Sequence, residues 1–381
     1  MTGATVEFRH VTKIYGPRQA AGTPGAVNDL SLIVPPGEIC VLVGPSGCGK
    51  TTSLKMVNRL VEPTSGQVLI DGEDVGRTEV TALRRRIGYV IQQIGLFPHQ
   101  TVADNVATVP RLLGWPRRRI EQRVDELLQL IGLDPARVRR RYPAQLSGGE
   151  RQRVGVARAL AAEPPVMLMD EPFGAVDPIV RERLQNEFLR LHRTLGMTVL
   201  FVTHDIDEAI KMGNRVAIMQ QGGHLAQYAP PTELLMRPAN DFVARFVGVD
   251  RGLKRLSLLS VADVPLEPAP TARLGEPARA VRQRVHNRAE YVLLLDADDR
   301  PQGWVHLSTL EGDGPLTDEA ADPSSPVVAF DTTLRDALSM LLASAVQTAV
   351  VQDERGRYAG VLTLDALGAA FRSAPEAMAT P

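Results

Sequence analysis

Cysteine is nearly missing from these 381 residues: only Cys40 and Cys48 occur, eight positions apart. They have no partners elsewhere in the chain, so neither a disulfide framework nor a cysteine metal site is indicated. An excess of one charge is missing too, with 43 Lys+Arg against 44 Asp+Glu. That balance hides an asymmetry, a net of +5 over residues 1–249 and of −6 over residues 250–381. Neither part carries the strongly basic footprint of a nucleic-acid binder. No run approaches the ~18 apolar residues of a membrane span, and no signal peptide precedes Val6. The expectation is a soluble, cytosolic chain. What is present, 44% hydrophobic and 23% charged residues, excludes disorder, and the length suits two or three domains.

The first 248 residues alternate strand and helix patterns. Glu38–Val43 is a short apolar run ending in a Gly-rich turn, and Val166–Met169 and Thr198–Val202 are two more, each followed by a helical stretch. Such spacing predicts a largely parallel sheet covered on both faces. Between Thr101 and Arg141, Val124, Leu127, Leu128 and Ile131 recur at helical spacing among Arg117–Arg119 and Arg139–Arg141, which predicts a helical insertion with solvated basic faces. Residues 249–263 read as a linker. Residues 264–372 hold two loosely similar stretches, one with Tyr291–Asp296 and Gly303–Leu307 as strands, the other with Thr348–Asp353 and Gly360–Leu364. A period of fifty to sixty residues suggests a paired small module. The tail 373–381 is rich in small residues and expected to fray.

Three motifs carry chemistry. Gly44, Pro45, Ser46, Gly47, Cys48, Gly49, Lys50 and Thr51, with Thr52 following, fit G-x-x-x-x-G-K-[ST]. In such a loop, backbone amides turn around a polyphosphate, the lysine reaches its β- and γ-phosphates, and the Thr51 hydroxyl ligates magnesium. A chance match in a chain of this length has a probability of order 1%, so the loop is read as a phosphate site. Asp170 and Glu171 end the strand begun at Val166. Alone they would be an ordinary strand end. Beside a phosphate loop, Asp170 can hold the metal and Glu171 can polarise an attacking water. Upstream, Leu146-Ser147-Gly148-Gly149-Glu150 reads as a helix start, with Ser147 the cap and Glu150 its partner, and with the amides of Gly148 and Gly149 forming a second anion nest.

Phosphate loop, Leu-Ser-Gly-Gly signature and Asp-Glu strand end, in this order, resemble the ATP-binding subunit of ATP-binding-cassette (ABC) transporters over residues 4–248. The resemblance implies a P-loop NTPase fold of class α/β with a helical subdomain, using ATP and Mg2+. It implies that Tyr15 stacks on adenine, Gln92 touches magnesium and the attacking water, Asp177 contacts the opposite subunit, and His204 bonds the γ-phosphate. Gln93 adjoins Gln92, one register step away. Glu150 departs from the commonest signature, which has Gln there. The family sandwiches ATP between two such domains, so a homodimer is implied, on integral membrane permease subunits at the cytoplasmic face of the membrane, served by an extracytoplasmic solute-binding protein.

The stretches Leu54–Gly66 and Arg86–His99 are similar to ATPases that import quaternary-amine osmoprotectants such as glycine betaine, choline or carnitine. The competing readings are another importer class and a soluble cassette ATPase of DNA repair or translation. Against the latter, there is one phosphate loop, and about 95 residues separate Lys50 from the signature, too few for a long coiled-coil insertion. The C-terminal repeat resembles a pair of cystathionine-β-synthase (CBS) modules in an α+β domain, the first copy degenerate. The nucleotide-binding form has an Asp three residues after its Thr or Ser. Here Ala366 stands at that place after Thr363, with Asp365 one residue early, and the first copy has His306 and Thr309. Adenosine binding is not expected, and regulation or dimer stabilisation are both open roles.

Overall fold

Three strands without an exposed residue, Ile39–Val43, Val166–Asp170 and Thr198–Thr203, decide the centre of the first unit. Buried on both faces, they form the middle of a six-stranded sheet. Its order runs His224–Ala229, Arg215–Gln220, Ile39–Val43, Thr198–Thr203, Val166–Asp170, Ile87–Val90. All neighbours are parallel except the first two. The computed structural model describes residues 3–15, 25–91, 95–174, 177–285, 289–310, 313–322, 326–344 and 347–373. Contacts divide the chain into two units, Met1–Gly248 and Val249–Pro381.

A second, antiparallel sheet in the first unit was not foreseen from the apolar runs. It orders Val27–Val34, Val6–Lys13, Ser65–Ile70 and Glu73–Asp74. Val27–Val34 alternates buried and exposed positions, as expected of a strand with one wet face. Its inward residues Leu30, Leu32 and Val34 join Val6, Phe8 and Val11 in one core with Cys40, Leu42, Leu168 and Leu200 of the parallel sheet and Leu54 and Met56 of the helix Lys50–Val57. Both cysteines are buried and free. The helical insertion is present. Its longest helix, Arg117–Leu130, buries Ile120, Val124, Leu127 and Leu128, and Ile131 follows as its C-cap.

In the second unit the loose sequence repeat is a structural one. Copy one has strand Thr271–Arg273, helix Ala278–Val285 and hairpin Tyr291–Leu295 with Pro301–His306. Copy two has strand Val327–Ala329, helix Leu334–Ala343, hairpin Thr348–Gln352 with Tyr358–Thr363, and a further helix Leu364–Ser373. Each first strand pairs parallel to the second, and the second antiparallel to the third. Equivalent turns are held by Asp296, which accepts from the amides of Asp298 and Arg300, and by Asp353, which accepts from those of Arg355 and Arg357. The same irregularity interrupts both hairpins, after Leu294↔Gly303 and after Val351↔Gly360. The two glycines there have φ of 148° and 151°. Leu293, Leu295 and Trp304 of copy one meet Val350 and Val361 of copy two in a shared cluster.

Residues 249–263 are more than a connector. Arg251–Leu256 is a helix, and Leu256, Leu259, Val261 and Val264 are buried with Leu334, Leu341, Val351 and Leu362 of copy two. Main-chain bonds from Val261 to Thr332 and from Leu334 to Leu259, both 2.9 Å, fix the segment there. The tail 374–381 lies outside the described residues.

The bulge glycines make a test of the repeat. A Cβ on Gly360 would lie 2.8 Å from Leu266 Cβ, at a φ that L-residues rarely adopt. Gly360→Ala should therefore cost about 1–3 kcal/mol of second-unit stability. Trp304 emission in a Trp115→Phe background, followed through a urea titration, reads that unit alone. An unchanged midpoint would show that the bend tolerates a side chain.

Candidate functional site

The phosphate loop follows the buried strand Ile39–Val43 and opens the helix Lys50–Val57. Gly44, Gly47 and Gly49 all have positive φ, of 154°, 79° and 95°. Gly49 also lies where no side chain fits, since a Cβ would sit 2.1 Å from the Ala26 carbonyl oxygen. Gly49 caps the helix without a side-chain bond, so the first-turn amides face outward for an anion. Lys50 is only 6% exposed, and its side-chain nitrogen donates to the Gly44 and Pro45 carbonyls at 2.7 and 2.9 Å, so this buried group is not left unbonded. This places a cation inside a cradle of backbone donors, which is what a polyphosphate requires.

Three neighbouring strand ends complete this half-site. Thr51 Oγ1 donates to Asp170 Oδ1 at 2.9 Å. Asp170 is 6% exposed, and burial pushes its carboxyl above the usual range, partly opposed by the Thr51 bond and by Lys55 and Lys50. A buried carboxylate beside a loop hydroxyl is a hard-oxygen pair that a cation would relieve. Glu171 follows with φ of 44°, its amide held by the Val202 carbonyl at 2.9 Å. A left-handed glutamate is strained, and such strain gathers at functional sites. His204 Nδ1 lies 3.2 Å from Glu171 Oε1.

Tyr15 is 55% exposed, with the Lys13 ammonium 5.1 Å from its ring centre. The end of its strand reaches the loop through Ala26, which bonds the Lys13 carbonyl at 2.8 Å and abuts Gly49. Gln92 and Gln93 lie outside the described residues.

The signature is a separate place. Ser147 caps the helix Gly148–Leu160, accepting from the Glu150 amide at 3.2 Å, while Glu150 accepts from the Ser147 amide at 2.8 Å. That amide, first, and the Ser147 hydroxyl hold the Glu150 carboxyl below its usual range. Either Glu or Gln completes such a box, which accounts for the acid here. Asp177 caps the helix Pro178–Leu195 by accepting from Ile179 N at 3.0 Å. The two helix starts adjoin: a Cβ on Gly149 would touch Val180 Cγ1 at 3.4 Å. Beside Gly148, where a Cβ would meet open space, Ile179 is 83% exposed. Among the described residues no hydrogen bond or ion pair joins Ser147–Gly149 to Gly44–Thr52. The described candidate residues thus fall into two groups on one chain, one around the phosphate loop and one at the signature.

Asn105 was missed by sequence reading. Wholly buried, it accepts from Phe97 N at 2.7 Å and donates to the carbonyls of Phe97, Gln100 and Thr101, fixing the loop after the expected Gln92. A lone Asn between apolar helix positions carries no signal of that task.

The ABC transporter family model matches residues 27–174, which hold the phosphate loop, the Ser147–Gly149 signature and Asp170–Glu171. The osmoprotectant import ATP-binding protein OsmV of Salmonella typhimurium is 48% identical over 363 residues, covering 94% of each chain. The chain belongs to the ATP-binding subunits of osmoprotectant ABC importers. Glycine betaine uptake system protein YehX of Escherichia coli is 54% identical over 80% of this chain and 98% of its own. The glycine betaine/carnitine/choline transport protein OpuCA of Bacillus subtilis is 40% identical over 94% of both. Among solved structures, the dimeric bacterial ABC transporter cassette MJ0796 aligns with a TM-score of 0.52 at 32% identity, covering 59% of this chain and 98% of that one. As an ABC ATPase, the first unit binds ATP. The CBS domain model matches residues 319–371. In this ABC subunit the Thr363 hydroxyl caps its own helix, accepting from Ala366 N at 3.2 Å.

Gly49→Ala should abolish nucleotide binding, because relieving its clash with Ala26 would move the helix start from the phosphates. Fluorescent ATP-analogue titration should show at least about 10²-fold weaker binding. Wild-type affinity would mean that the amides of this loop do not hold the phosphates.

Proposed function

We propose that this chain is the ATPase subunit of an importer of quaternary-amine osmoprotectants, acting as a head-to-tail homodimer on membrane permease subunits fed by a solute-binding protein. The observation that carries the dimer is the separation of two half-sites on one chain. Phosphate loop, Asp170, Glu171 and His204 form one, while Ser147, Gly148, Gly149 and Asp177 form the other beside exposed Ile179 and Val180. Two copies facing each other complete both sites. Support for the cargo class comes from the names of OsmV, YehX and OpuCA and from their coverage of this chain. No helix of the described residues is long and apolar enough to cross a membrane, so transport itself falls to other subunits. The ATPase part is proposed to end at Gly248, with a CBS-like pair after it.

The chemistry follows from the residues. Loop amides and Lys50 hold the β- and γ-phosphates of ATP. Thr51 and Asp170 fit magnesium, with Gln92 as a further ligand. The ion would complete its shell from phosphate oxygens and water and withdraw charge from the γ-phosphate. Among the described residues no cluster of three or more His, Cys, Asp or Glu is assembled. Tyr15 stacks on the adenine. Glu171 accepts hydrogen bonds from the attacking water and turns its lone pair toward phosphorus. It also orients the His204 ring through Nδ1, and His204 contacts the transferring phosphoryl group. Ser147 and the signature amides of the partner copy close over the same phosphate, so hydrolysis requires the closed dimer. ADP and phosphate release then reopens it.

Glu171→Gln should lower phosphate release by about 10²–10⁴-fold while leaving ATP affinity intact. Size-exclusion chromatography with ATP and magnesium should show a persistent dimer. Wild-type turnover would remove Glu171 from catalysis. For the cargo, vesicles holding the complete transporter should accumulate labelled betaine, choline or carnitine only with internal ATP. Failure with all three would sink the cargo class and leave the ATPase standing.

A further inference from the structure

Glu208 is a carboxylate with no place in that mechanism, yet it is only 8% exposed, four residues along the chain from the histidine. It sits in the helix Ile206–Met212, whose N-cap Asp205 accepts from the amides of Asp207 and Glu208 at 2.8 and 3.3 Å. Burial pushes the Glu208 carboxyl above its usual range. The Thr203 hydroxyl and the Gln185 amide oppose the shift. The Gln185 bond is 3.0 Å long and buried at both ends. Gln185 belongs to the helix Pro178–Leu195, which starts at Asp177. Thr203, itself buried, also accepts from Asp205 N at 3.1 Å.

Both neighbours of His204 are therefore tied: the Asp205 amide donates to Thr203, and the Asp205 carboxylate holds the first turn of the helix that carries Glu208. The His204 side chain is itself 60% exposed, with Nδ1 3.2 Å from Glu171 Oε1. An exposed ring on a strand end has many rotamers, and its aim depends on the backbone beneath it. A buried acid is costly unless fully bonded. A core that needed only volume here would be served by an apolar residue.

We propose that Glu208, clamped by Gln185, is a positioning residue for ATP hydrolysis: it fixes the Thr203-His204-Asp205 turn and so aims the His204 ring at the γ-phosphate. The anchor acts by joining the helix Ile206–Met212, which Asp205 caps, to the helix Pro178–Leu195 through the Gln185 bond, not through its charge on the substrate. It rests on the role of His204 proposed above.

The test is a double-mutant cycle on the full chain, reading kcat and KM for ATP. Glu208→Ala should lower kcat by about 10²-fold, the scale of a misplaced reacting group, with KM changed less than twofold. On a His204→Ala background the same substitution should add less than twofold, because the ring it aims is gone. Glu208→Gln, which keeps an acceptor for Gln185, should retain at least half of wild-type kcat. An equal loss with and without His204 would overturn the proposal and leave the ATPase reading intact, as would a Gln variant as impaired as Ala. Wild-type turnover in His204→Ala alone would instead remove the histidine's role, and the anchor's purpose with it. If Glu208→Ala unfolds, Gln185→Ala run through the same cycle decides: a kcat loss that vanishes without His204 supports the anchor, and one that persists refutes it.

Discussion

Parallel register between three strands governs this site. Val43 pairs with Thr203, and Asp170 with Val202. The residues after these ends, Gly44, His204 and Glu171, therefore emerge side by side at the carboxyl edge of one sheet. That edge is where open α/β sheets bind ligands. Each strand is apolar on both faces, so it can lie nowhere but in the middle of the sheet. A slip of one residue in any pair would carry the catalytic groups out of line.

Around that edge the molecule spends burial on polar groups where chemistry needs them. Lys50, Asp170 and Glu208 are all nearly excluded from water, and each is held by specific partners. Isolated, any of them would neutralise or find another conformation. Together with the left-handed backbone of Glu171, they make the site a place of stored cost within an otherwise apolar core. The antiparallel sheet supplies the compensating packing, joining Val6, Phe8 and Leu30 to the same cluster as Leu42 and Leu168.

The second unit shows the opposite economy. Its two copies keep one plan of strand, helix and hairpin with equivalent Asp turns and glycine bulges, although their sequences agree only loosely. Main-chain geometry is what the repeat preserves. The Asp that would mark a nucleotide site is replaced in the second copy by Ala366, whose amide donates to Thr363, and in the first copy His306 bonds Ser308 beside Tyr291.

Contiguous features were legible in the sequence itself. The phosphate loop, the signature box and the buried strands are each set by neighbours within a few positions, through glycine conformation, capping chemistry and apolar run length. The helix Arg117–Leu130 was likewise written in its period. Pairings between distant segments were not. Thr51 meets Asp170 from 119 positions away, and nothing local says which strand lies beside which. The antiparallel sheet and the burial of Leu256–Val264 were missed for the same reason: short strands and connectors look alike until a core claims one face. Glu208 reads in sequence as an ordinary charged helix residue. Only packing against Gln185 and Thr203 makes it a buried anchor, because burial is a property of the assembled layers and not of the residue.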